Sequence, residues 1–147
     1  MGYKGGGESK LEIKSNEVIA RRLASQTWGT VQQQQKIAEG FWSFSTAGHG
    51  GYVADTNVYP LLKPYQQTVL THIKSGKYYP HEQHFAPFEE DCDWAIPLYL
   101  YPQLAEAEYK KGTWTKEFYT KYTTLVDYIN NSVIPTIQRY HPEIYKK

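Results

Sequence analysis

The sequence predicts an α+β fold, and three observations carry that reading. Phe41-Trp42-Ser43-Phe44-Ser45 alternates apolar and polar residues with period two, breaks at Ala47-Gly48-His49-Gly50-Gly51, and resumes at Tyr52-Val53-Ala54. Apolar residues at helical spacing lie on either side, most clearly Phe118, Tyr122, Leu125, Ile129 and Val133. Neither an internal repeat nor a linker interrupts the chain. The expected architecture is a small antiparallel sheet, about residues 30–54, packed against several helices with a long amphipathic helix at the C-terminus. The expected organisation is a flexible tail over residues 1–9 and a single domain over 10–147.

The elements follow in order. Triple glycine at Gly5-Gly6-Gly7 has high chain entropy and nothing to bury, which marks a tail. Ser15 or Asn16 is placed to cap a helix with Val18, Ile19 and Leu23 on one face; Arg21 and Arg22 fall on a solvated face. After Trp28-Gly29, the stretch Thr30–Ile37 reads as an edge strand with a polar outer face, and Glu39-Gly40 as a turn. Asp55-Thr56-Asn57 is a capping cluster. Pro64 suits the first turn of a helix reaching Ser75, with Val69, Leu70 and Ile73 inward, His72 at the core edge and Gly76 as the stop. Lys77–Pro87 reads as a loop. Phe88–Asp93 reads as the first turn of a helix through Leu100, which Pro97 kinks or restarts. Lys110-Lys111-Gly112-Thr113 stops the next helix. Thr113 or Thr115 starts the last one, which Pro135 bends.

Composition narrows the function classes. A formal charge of +1 on 147 residues gives no field that favours nucleic acid or an anionic membrane surface. Fourteen tyrosines raise aromatic content to 16%, enough both to fill a half-buried core and to leave an adhesive surface. The single cysteine forms no internal disulfide and fits a reducing compartment. The N-terminal stretch has no apolar signal-peptide core and no hydrophobic span is read, so the expected location is the cytosol with no membrane partner.

Two stretches hold the candidate chemistry. In Ser45-Thr46-Ala47-Gly48-His49-Gly50-Gly51, glycines flank one histidine and bring backbone N–H groups within reach of a ligand, which makes Ser45, Thr46, Gly50 and Gly51 candidate binding residues. In Phe88-Glu89-Glu90-Asp91-Cys92-Asp93-Trp94, four carboxylates surround the only cysteine. A helix terminus there lowers the thiol pKa, but several carboxylates at short range outweigh that half-charge, so Cys92 reads as a packed residue and the carboxylates as the working groups. They suit a divalent cation, a polar ligand, or general acid/base chemistry with His49. The combined candidate catalytic set is His49, Glu89, Glu90, Asp91 and Cys92, with Trp94 beside it in binding. His81 and His84, three apart, reach a common metal with His49 only as an incomplete signature, since no CxxC or second HxxH follows; no metal centre and no cofactor are assigned.

The order Trp28-Gly29, Phe41–Gly51 and Phe88–Ala95 resembles the DUF7007 family, whose pattern is a WG, an STASHGG-like turn and a [WF]-EEDC-x-WA segment. The resemblance covers about residues 28–100. Gly48 stands where the family more often has serine, and His81 and His84 are not part of the pattern. The resemblance implies an accessory protein of phages, plasmids or integrative elements, and groups His49, Glu89, Glu90, Asp91 and Cys92 as one site. Two functions follow as expectations. One is a protein that binds a host partner and inhibits a host defence system, an anti-CRISPR being one form, through a tyrosine-rich surface or through carboxylates that mimic phosphates. The other is a small hydrolase or transferase using His49 and the carboxylates, with or without a metal. Since no nucleophile elbow, P-loop, HExxH or dinucleotide fingerprint is present, the binding function is preferred.

Overall fold

Period-two alternation produces strands where expected. In the computed structural model, which describes residues 6–67 and 84–146 (6–15 by backbone alone), β1 (Gln33–Ala38), β2 (Phe41–Ser45) and β3 (Gly50–Asp55) form an antiparallel meander. Trp42 and Phe44 are buried while Ser43 and Ser45 are half-buried on the other face. β1 stands at the sheet edge, with Gln33 and Gln35 exposed and Gln34 half-buried. With β4 (Phe85–Glu89) the sheet has four strands in the order β1-β2-β3-β4, and the fold is α+β.

β4 corrects the expected loop over Lys77–Pro87. Phe85, Ala86 and Phe88 are buried, and Pro87 is tolerated because, among the described residues, β4 is the last strand of the sheet order, where a proline is admissible. A second correction concerns the helix expected from Pro64. That proline lies inside a 3-10 turn (Pro60–Tyr65), after which Gln66 is extended and Gln67 donates its N–H to Phe85 O at 2.9 Å. Val69, Leu70, His72, Ile73 and Gly76 lie outside the described residues.

The described residues form two compact units, divided between Pro87 and Phe88. In the first, α1 (Gly6–Trp28) starts before the expected Ser15 cap and packs on β2 and β3. Its buried stripe is Ile19, Ala20, Leu23 and Ala24; Val18 instead faces solvent at 49% exposure. These residues join Val31, Trp42, Phe44, Val53 and Phe85 in one apolar cluster. Arg21 is more than a solvated charge: its guanidinium donates to the Gln34 side chain and to Val31 O, tying α1 to β1. Gly29, at φ +108°, ends α1 in a backbone conformation that disfavours any side chain.

The second unit is helical: α2 (Ala95–Leu100), α3 (Pro102–Lys110), α4 (Lys116–Lys121), α5 (Leu125–Tyr128), a π turn (Ile129–Val133) and α6 (Ile134–Tyr140). Pro97 falls in the first turn of α2, where its missing N–H costs nothing, and Pro102 opens α3 after Tyr101 leaves the helical region, which a following proline disfavours. Gly112, at φ +76°, terminates the α3 segment as expected. The last helix, however, is divided. Thr115 caps α4 by accepting from Phe118 N, and Thr124 starts α5 by accepting from Asp127 N, so the long C-terminal helix of 16 residues begins at Leu125. A hydrogen bond from Thr123 holds the Asp127 carboxyl below its ordinary pKa, reinforcing that cap. Glu108, buried in α3, pairs with Lys111 at 2.6 Å.

Burial nevertheless pushes the Glu108 pKa up, more than the Lys111 charge lowers it. A raised folded pKa means that the stability this carboxyl contributes is complete below its unfolded value of 4.5 and is lost as pH rises through the folded value. The melting temperature of the parent protein should therefore fall relative to Glu108→Gln as pH rises above the unfolded value of 4.5; a pH-independent difference in thermal melts would contradict this.

Candidate functional site

The glycine-rich motif is the turn between β2 and β3. Thr46 organises it: its N–H donates to His49 O at 2.8 Å, and its hydroxyl accepts from His49 N at 3.1 Å. The same hydroxyl lies 3.2 Å from Trp28 O, which links the turn to the end of α1. Gly50 and Gly51 are the first residues of β3, paired with Ser45 and Phe44. No residue of this turn has positive φ; within the meander that role falls to Gly40, at φ +75° in the β1–β2 turn. The glycines are therefore not required by a left-handed backbone. His49 is exposed on the turn.

A Cβ added at Gly48 meets nothing within 4 Å, whereas one at Gly40 comes within 3.0 Å of Val58 Cγ2. Gly48→Ser should change stability by less than about 0.5 kcal/mol. Gly40→Ala should cost about 1–2 kcal/mol through its left-handed backbone alone. Equal urea midpoints for the two variants would contradict this account of the turns.

The acidic motif is not the first turn of a helix. Phe88 and Glu89 end β4, and 90–94 form a turn in which Glu89 O accepts from both Asp93 N (3.1 Å) and Trp94 N (2.9 Å). Helix α2 begins only at Ala95. Glu90 and Asp91 project toward solvent, with Glu89 half-buried. Trp94 stacks on Tyr128 with ring centroids 6.4 Å apart, a packing role. The half-buried Cys92 thiol has its pKa raised, first by burial and then by the Asp93 carboxylate; the direction is that expected from its acidic neighbours.

His49 belongs to the first unit, and Glu89, Glu90, Asp91 and Cys92 to the second. The histidine that meets the acidic turn within its own unit is His141. Its Nε2 lies 3.0 Å from Asp93 Oδ1, which in turn is 3.5 Å from Cys92 Sγ. On its other side, His141 Nδ1 is 4.0 Å from Glu143 Oε2. Among the described residues, Cys92, Asp93 and His141 form the one group of three metal-capable side chains, with donor atoms within 4.8 Å of one another. His84 instead packs on Phe85, ring centroids 4.2 Å apart, with Nε2 3.9 Å from Asp55 Oδ1; His81 lies outside the described residues. His141 was not among the expected site residues, and Asp93, one of the four carboxylates read as working groups, was not in the expected catalytic set. The available signal was a histidine between the last apolar helix and Pro142, where a helix end exposes a side chain for use elsewhere.

A second feature is aromatic. Tyr128, buried on α5, is surrounded by Tyr109, Phe118 and Tyr122 at centroid distances of 5.9, 5.3 and 5.8 Å. Two tyrosine hydroxyls donate to backbone carbonyls, Tyr109 to Tyr122 O (2.6 Å) and Tyr119 to Tyr109 O (3.0 Å), fastening α4 to α3. Outside this core, α4 buries none of its residues. Trp114 stacks on Phe118 at 4.6 Å, yet 39% of it remains exposed. Lys111 and Lys121 lie over the Trp114 and Tyr122 rings.

The fold and these two features define an α+β protein with a helical second unit that carries a three-donor cluster and an aromatic face. The family model described as "Domain of unknown function (DUF7007)" matches residues 21–147, and the chain belongs to that family. The match extends beyond the motif-bearing stretch to include α1 from Arg21 and the whole second unit with His141. No curated protein and no solved structure matches the chain. Among the described residues, no helix is long and apolar enough to cross a membrane.

Proposed function

We propose that this protein acts by binding another protein, through the aromatic face around α4. The observation that supports the reading is Trp114, left 39% exposed and stacked on Phe118 of a helix whose two rings, Phe118 and Tyr119, are only half-buried. Large rings immobilise little entropy and displace much water, which is why tryptophan and tyrosine dominate the centres of protein interfaces. The tyrosine hydroxyls that fasten α4 to α3 fix this face before binding, so little ordering cost remains to be met on association. The reading extends to the class of partner, a host protein of a defence system, which this chain would inhibit.

The enzymatic alternative relied on His49 acting with Glu89, Glu90 and Asp91. No geometric observation within either unit favours it over binding. The test is capture from host lysate with the full chain and with Trp114→Glu. The expected result is a stoichiometric host protein retained by the parent and lost by the variant, at an unchanged melting temperature. No stoichiometric partner, or equal capture by both, would overturn the proposal.

A further inference from the structure

We infer that Cys92, Asp93 and His141 form a binding site for one divalent ion of the zinc type, a reading that goes beyond protein binding and stands independently of it. Three donors of different chemistry, a thiol sulfur, a carboxylate oxygen and an imidazole nitrogen, converge from the β4–α2 turn and from the end of α6. This is the mixed S/N/O set that a borderline-soft ion selects.

The distances suit such an ion. With Zn–S about 2.3 Å and Zn–N and Zn–O about 2.0–2.2 Å, the edges of a zinc tetrahedron are about 3.3–3.6 Å. The Sγ···Oδ1 separation is 3.5 Å, the Oδ1···Nε2 separation is 3.0 Å, and all three donors lie within 4.8 Å.

The backbone on both sides is already held. Asp93 N donates to Glu89 O, Asp93 O accepts from Ile96 N, and His141 N donates to Ile137 O at 2.8 Å. Helices α2 and α6 pack on one another, which fixes the two ligand-bearing segments. Glu143, 4.0 Å from the far nitrogen of His141, stands where a carboxylate orients a metal-bound imidazole. Three protein donors leave a fourth position for water or a further ligand.

The same geometry disfavours a catalytic thiol. The Asp93 carboxylate contacts both the thiol and the imidazole, so negative charge sits beside the sulfur where an activated nucleophile needs a base or a cation. A bound cation reverses this: the Cys92 proton leaves to solvent, the thiolate sulfur bonds the ion, and the carboxylate becomes a co-ligand rather than an opponent.

The experiment uses the tag-free full chain, titrated with Zn²⁺ against a chromogenic chelator and separately with Co²⁺. The expected results are one Zn²⁺ per chain and a near-ultraviolet thiolate-to-cobalt charge-transfer band. His141→Gln and Asp93→Asn should each weaken Zn²⁺ binding at least about tenfold. Cys92→Ser should abolish the cobalt band, while Glu117→Gln on exposed α4 should leave binding unchanged. Absence of the cobalt band in the parent protein, a readout that needs no variant, would overturn the site. So would parental Zn²⁺ affinity in a folded His141→Gln protein.

Discussion

Tyr128→Ala should destabilise the protein by about 3–5 kcal/mol, lowering its melting temperature by roughly 10 °C. Tyr128 is 2% exposed and touches the rings of Trp94, Tyr109, Phe118 and Tyr122, so truncation removes one side of four aromatic contacts at once. Each such contact contributes about 0.5–1.5 kcal/mol beyond burial of area. Burial, with Glu108 and Tyr122 nearby, also raises its phenol pKa well above the ordinary tyrosine value, so the ring remains neutral throughout the working range. Tyr128→Phe keeps the ring and should retain most of the stability. Calorimetry of the two variants decides: equal losses would show that the hydroxyl, rather than ring packing, holds this unit.

Trp42→Ala should have a comparable effect in the first unit, about 3–5 kcal/mol. The indole is 2% exposed in the cluster that joins α1 to the sheet and lies 6.3 Å from the Phe85 ring. Its Nε1 is buried with no hydrogen-bond partner among the described residues. Desolvating an unpaired N–H costs about 1–3 kcal/mol. Trp42→Phe removes that cost together with part of the ring volume, so the two changes oppose one another and the variant should lose under about 2 kcal/mol. Urea denaturation monitored by far-ultraviolet circular dichroism separates the cases. A Phe variant as unstable as the Ala variant would mean that the particular shape of the indole, rather than buried ring volume, sets the stability of this core.

The meander was legible because its signal is local: alternation in Phe41–Ser45 and the Glu39-Gly40 turn need no distant partner to be read. β4 was not, since Pro87 argues against a strand and only its place at the end of the sheet order makes it admissible. The acidic motif imitated a helix start, with carboxylates ahead of an apolar run. Nothing in the residues themselves says that Phe88 and Glu89 are already committed to a strand and that the helix must wait until Ala95. The division at Tyr122–Thr124 was concealed by apolar spacing that continues through it, although the threonine three residues before Asp127 is a cap signal. His141 was the least legible, because its approach to Asp93 depends on packing between segments far apart in sequence.

The π turn at Ile129–Val133 sets where that approach occurs. Ile134 N–H bonds to Ile129 O, five residues back, just before Pro135, whose absent N–H and bulky ring would strain an ordinary helical turn. The turn thus holds one residue more than regular winding allows, and each extra residue rotates everything beyond it by about 100° around the helix axis. The bulge therefore acts as an angular offset that aims His141. Deleting a single residue between Ile129 and Val133 would remove that offset, leaving Pro135 to strain a regular turn and the imidazole turned away from the acidic bend.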